Sequence, residues 1–63
     1  MSRILIVDDE PMIRKAMENI FSKYGQCTSV ATGREAVAAY KRALESGDAF
    51  DLVILDISLE DSS

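Results

Sequence analysis

Residues 3–8 read RILIVD and residues 51–57 read DLVILDI. Both are short runs of branched apolar side chains without polar alternation, the pattern of parallel strands covered on both faces. Asp8 closes the first run and Asp56 falls near the end of the second. The two runs therefore fix a sheet and, with it, the edge at which acids gather.

Between them the apolar period changes. From 11 to 24 the residues Ile13, Ala16, Met17, Ile20, Phe21 and Tyr24 recur at three and four, which predicts a helix with Pro11 in its first turn and Gly25 as its stop. Residues 26–31 read as a weaker strand, Cys27, Ser29 and Ala31 alternating with Thr28 and Val30, as at or near a sheet edge. A second helix starts at Thr32, with Glu35 placed to complete a capping box. Its apolar face is Ala36, Val37, Ala39, Tyr40, Ala43 and Leu44, and Ser46-Gly47 ends it. The expected order is β1 (3–8), α1 (11–24), β2 (26–31), α2 (32–46), β3 (51–57). Strands alternating with helices at this spacing call for right-handed crossovers, a parallel sheet and helices on both faces.

With 63 residues the chain makes one small domain with a limited core. A composition of 48% hydrophobic and 29% charged residues is that of a globular chain, not a disordered one. The apolar runs are too short to span a bilayer, and acids interrupt the amino terminus too early for a signal peptide, so the expectation is a cytoplasmic protein with no membrane partner. One cysteine, Cys27, and no histidine exclude a disulfide framework and a tetrahedral zinc site. A net charge of −4 argues against direct nucleic-acid binding, which needs clustered Lys and Arg.

Six of the eleven acids lie in two places, Asp8, Asp9 and Glu10 in one and Asp56, Glu60 and Asp61 in the other. A lone strand-end Asp is often only a loop cap. Asp8 and Asp9 at one strand end with Asp56 at another, all at the carboxyl edge where such sheets bind ligands, need a further reason. Three adjacent carboxylates repel unless a cation offsets them. An all-oxygen set that leaves positions to water favours Mg²⁺, or Mn²⁺, over a Ca²⁺ cage. Glu10 suits a helix amino terminus electrostatically, and Glu60 and Asp61 read as solvated loop residues.

IVDDEP at 6–11, ATGREA at 31–36 and DLVILDISL at 51–59 resemble the receiver domains of two-component response regulators. The resemblance spans the whole chain and implies a flavodoxin-like α/β half-domain with sheet order 2-1-3. By it Asp56 is the phosphoacceptor, Asp8 and Asp9 hold the metal directly or through water, and the backbone carbonyl of Ser58 adds another oxygen. It also implies phosphoryl transfer from a sensor histidine kinase or a histidine phosphotransfer protein, with the receiver itself not an enzyme. A complete receiver is about twice as long, and its switch Ser or Thr and its Lys have no counterparts here. Residues 1–63 thus correspond to the first half of a receiver, and Glu60 stands where many members have Pro.

Two other readings share these residues. The chain can be a self-assembling half-domain without phosphorelay signalling, because a third strand apolar on both faces would stand at the sheet edge and favour a homodimer or higher assembly. A Mg²⁺-dependent aspartyl phosphatase also uses a strand-end Asp, but that family resembles Asp-x-Asp at the nucleophile and residue 58 is Ser.

Overall fold

A computed structural model of the chain describes residues 2–56. Its elements are β1 (Ser2–Asp8), α1 (Pro11–Phe21), β2 (Gly25–Val30), α2 (Gly33–Glu45) and β3 (Leu52–Asp56). The strands form one parallel sheet in the order β2-β1-β3, the flavodoxin-like arrangement expected. Residue 57, placed in the third strand by its pattern, lies outside the described residues.

The central strand carries the core. Ile4, Leu5, Ile6 and Val7 are all at most 1% exposed, because β1 has a strand on either side and a helix over each face. Leu5 and Val7 pack with Ala36 of α2, and Val30, Ala39 and Phe50 close around them. Alternation sends Ile4 and Ile6 to the α1 face. The small side chains of Ala36, Ala39 and Ala43 let α2 lie close on the sheet, and its outer apolar residues Val37, Tyr40 and Leu44 stay exposed.

Both ends of α2 are closed as its sequence predicts. Thr32 accepts a hydrogen bond from the Glu35 N–H at 3.1 Å, while the Glu35 carboxylate accepts from the Ala31 N–H at 2.9 Å, one residue before the expected partner. Gly47 takes φ of 77°, the left-handed conformation that lets the Gly47 and Asp48 N–H groups turn back to Leu44 and Ala43.

The first helix corrects two expectations. It ends at Phe21, not residue 24, with Ser22 as its C-cap. The half-buried side chains on α1 are Arg14, Met17, Glu18 and Phe21, while Ile13, Ala16 and Ile20 are exposed. The helix is rolled towards its polar contacts, Arg14 on the Asp8 carbonyl and Glu18 on the Ser29 hydroxyl. Gly25 is not the helix stop but the first residue of β2, beside Ser2. A Cβ there would stand 2.1 Å from the Ser2 carbonyl oxygen, so it is this close approach that requires glycine.

β3 joins the rest through β1, and neither helix packs over it among the described residues. Its register is fixed by a clamp at the amino end. The Arg3 N–H donates to the Asp51 carboxylate at 2.8 Å and the Asp51 N–H donates to the Arg3 carbonyl at 2.8 Å. The Arg3 guanidinium continues to the Asp48 carbonyl at 2.7 Å and lies 5.4 Å from the Phe50 ring centre. Along the outer strand Leu52, Val53 and Leu55 are 46%, 40% and 63% exposed. No helix of the described residues is long and apolar enough to cross a membrane.

Candidate functional site

In the order β2-β1-β3 the chain leaves β1 to one side through α1 and crosses to the other through α2. The sheet's topological switch point is thus the crevice between the carboxyl ends of β1 and β3, where open α/β sheets place ligands. The last register pair across that crevice is Asp8↔Asp56. Paired residues of parallel neighbours share a face, and neighbouring strands run about 4.8 Å apart, so the backbone sets the two carboxylates side by side.

Asp8 and Asp56 differ in surroundings. Asp8 is 1% exposed and is the one buried charged residue among those described. Its Oδ1 accepts the Glu10 N–H at 2.8 Å, closing a turn from β1 into α1. Its carbonyl accepts from Arg14 Nη1 at 3.0 Å. The second carboxylate oxygen, Oδ2, is buried without a hydrogen-bond partner. A buried carboxylate oxygen left unpaired carries the desolvation cost of its charge with nothing to offset it, and a cation is the partner that would do so. Asp56 is exposed at the end of β3, open to a reactant from solvent.

Asp9 follows β1 in a bend and is exposed. Successive side chains leave the backbone in different directions, so Asp9 does not share the buried position of its neighbour. Among the described residues no group of three or more Asp, Glu, Cys or His side chains converges to hold a metal ion. The site therefore consists of a register pair, Asp8 and Asp56, with an adjacent exposed acid. Ser58, whose carbonyl the sequence reading adds, lies outside the described residues, as do Glu60 and Asp61. The donor set present is oxygen only, with one buried oxygen free, and it fits a hard divalent ion.

Glu10 has no direct part in this set. It is the N-cap of α1 and makes no side-chain capping bond. Arg14 is the residue the pattern-based reading missed. Side chains on a helix lean back towards its amino terminus, so a long cation one turn in can reach the preceding strand end.

A family model of the response regulator receiver domain matches residues 4–63. The sensory transduction protein LytT of Enterococcus faecalis is 38% identical over 60 residues, covering 95% of this chain and 24% of that protein. The two-component response regulator ORR24 of Oryza sativa subsp. indica is 39% identical over 59 residues, covering 94% of this chain and 9% of that protein. The chain thus spans a quarter or less of the length of these relatives. No solved structure is significantly similar to it.

Proposed function

Because the chain belongs to the response regulator receiver family, we propose that Asp56 accepts a phosphoryl group while Asp8 and Asp9 hold Mg²⁺, or Mn²⁺, beside it. The observation that carries this reading is the buried, unpartnered Oδ2 of Asp8 on the residue directly across the register from Asp56. Donors of the right chemistry are a sensor histidine kinase, a histidine phosphotransfer protein or a small acyl phosphate, met in the cytoplasm.

An Asp56 carboxylate oxygen attacks phosphorus in line. As the new O–P bond forms, the P–N bond of phosphohistidine breaks, and its electron pair stays on the imidazole nitrogen, which takes up a proton. Asp8 and Asp9 would hold the divalent ion, which would supply charge to offset that on the transferring oxygens. The Glu10 N–H occupies Oδ1, which leaves Oδ2 as the carboxylate oxygen free to take the ion. The Ser58 carbonyl adds an oxygen in this reading. The chain is then a stoichiometric phosphoacceptor and not an enzyme, and it should not turn over a generic phosphate ester.

Acyl phosphate treatment with Mg²⁺, followed by intact mass, tests the assignment. One phosphoryl group on the native chain and none on Asp56→Asn is the expected result, and equal labelling of the two overturns it.

A specific observation supports a second role for the 63-residue chain. Among the described residues β3 is an edge whose Leu52, Val53 and Leu55 are exposed, and an apolar groove flanks it on each face. Edges of this kind pair, and a homodimer or higher assembly through β3 follows. Leu55→Lys is the suitable control because Leu55 is 63% exposed, whereas Ile54 is half-buried and paired with Ile6. Sedimentation over a concentration series should show association that Leu55→Lys weakens. A folded monomer throughout overturns the assembly.

A further inference from the structure

We propose that Arg14 is a positioning residue for the Asp8 ligand, setting the divalent-ion affinity of the pocket by latching the turn between β1 and α1. This rests on the reading of Asp8 as a metal ligand.

Two hydrogen bonds tie the end of β1 to the start of α1, and a third closes the first turn of the helix. The Glu10 N–H donates to Asp8 Oδ1 at 2.8 Å, Arg14 Nη1 donates to the Asp8 carbonyl at 3.0 Å, and the Arg14 N–H donates to the Glu10 carbonyl at 2.8 Å. Arg14 makes two of them, one through its side chain and one through its backbone. Together they occupy every oxygen of Asp8 except Oδ2.

The side-chain bond has the more particular consequence. It goes to a carbonyl and not to a carboxylate, so Arg14 restrains the direction of the ligand without competing with a cation for the ligand's oxygens. The Asp8 carbonyl sits at the last strand position, where the chain leaves the ladder with β3. Without a donor there, the peptide after Asp8 loses a bond that fixes its plane, and the Glu10 N–H that holds Oδ1 can shift with it. Arg14 is half-buried on α1, whose polar roll towards the sheet brings the guanidinium to this position.

The two ways in which Arg14 can act have opposite signs. A guanidinium near an acidic pocket repels a divalent ion, so a purely electrostatic role predicts tighter binding when the charge is removed. A latch predicts weaker binding. Removal of groups that orient metal ligands typically costs about 10- to 100-fold in affinity.

Mn²⁺ titration followed by paramagnetic resonance, on the 63-residue chain and on Arg14→Met, Arg14→Lys and Asp8→Asn, separates these outcomes. Amide spectra of the metal-free proteins provide an independent readout at Asp9 and Glu10. The latch predicts about tenfold weaker binding in Arg14→Met, partial recovery in Arg14→Lys, and amide shifts confined to the 8–10 turn. Unchanged or tighter binding in Arg14→Met, with Asp8→Asn still abolishing it, overturns the latch and leaves the metal site standing. Failure of the native chain to bind Mn²⁺, or equal binding by Asp8→Asn, removes both. If Arg14→Met does not fold, Arg14→Lys alone decides, since a charge-only role leaves it equal to the native chain.

Discussion

Asp8→Asn should stabilise the metal-free protein and abolish its response to Mg²⁺. Asparagine keeps an oxygen at the Oδ1 position to accept the Glu10 N–H, now 2.8 Å away, and preserves the side chain's shape. What it removes is charge at Oδ2, which is buried and has no partner. Leaving a buried polar group unpaired costs about 1–3 kcal/mol, more when it is charged. The amide that replaces it is unpaired too but neutral, so a net gain of ~1 kcal/mol is expected, or about 4–8 °C in Tm for a domain of this size. The native chain should recover the difference on binding metal. At free Mg²⁺ about tenfold above Kd, linkage contributes ~1.4 kcal/mol to a protein that binds and nothing to one that does not. Thermal unfolding by circular dichroism with chelator and with Mg²⁺ measures both effects. The variant should melt higher in chelator, and only the native chain should shift with Mg²⁺. An Asp8→Asn protein that melts lower in chelator, or keeps a full Mg²⁺ shift, would falsify the claim that an uncompensated ligand charge sits at this position.

Gly25→Ala should destabilise by about 1–3 kcal/mol, the usual cost of forced overpacking, because its Cβ meets the Ser2 backbone and not a movable side chain; an unchanged urea midpoint would contradict this. Cys27 has its thiol pKa raised, mainly by burial and further by the Glu18 carboxylate. Alkylation at neutral pH should accordingly be slower than for free cysteine, and Glu18→Gln should restore only part of the rate. Because the folded value is the higher one, the contribution to stability is present below the ordinary thiol pKa and is lost as pH rises through the folded one, which alkaline melts will register. Finally, phosphorylation of Asp56 should be slow and should perturb amides near the β1 and β3 ends without shifts spread over both helices, since the switch Ser or Thr and the Lys that the receiver resemblance implies have no counterparts among the described residues; widespread shifts at full labelling would refute this.

The strands and α2 were legible because their signals are local. Unbroken apolar runs, the Thr32–Glu35 box and Gly47 each carry their reason within a few residues. That Asp8 and Asp56 meet at one sheet edge was legible because each falls at a strand end and the order of strands does the rest. What escaped depends on distant partners. The period of α1 identifies residues that share an arc of the helix, but Arg14 and Glu18 decide which arc meets the sheet, through Asp8 and Ser29. Gly25 follows an apolar helical run and so resembles a stop, whereas its reason is the Ser2 carbonyl on another strand.

The clamp between Arg3 and Asp51 bears on the acids at the opposite edge of the sheet. A slip of β3 by one residue along β1 would reverse the faces of all its side chains and turn Asp56 away from Asp8. Arg3 and Asp51 thus work as an alignment pin for a residue about 17 Å further along the strand. They also join segments 48 positions apart, the most expensive loop of this sheet to close, after which the pairs from Ile4↔Leu52 to Asp8↔Asp56 follow like the teeth of a zip. Two residues far from the crevice, and with no chemistry in it, thereby set the register that brings Asp56 to face Asp8.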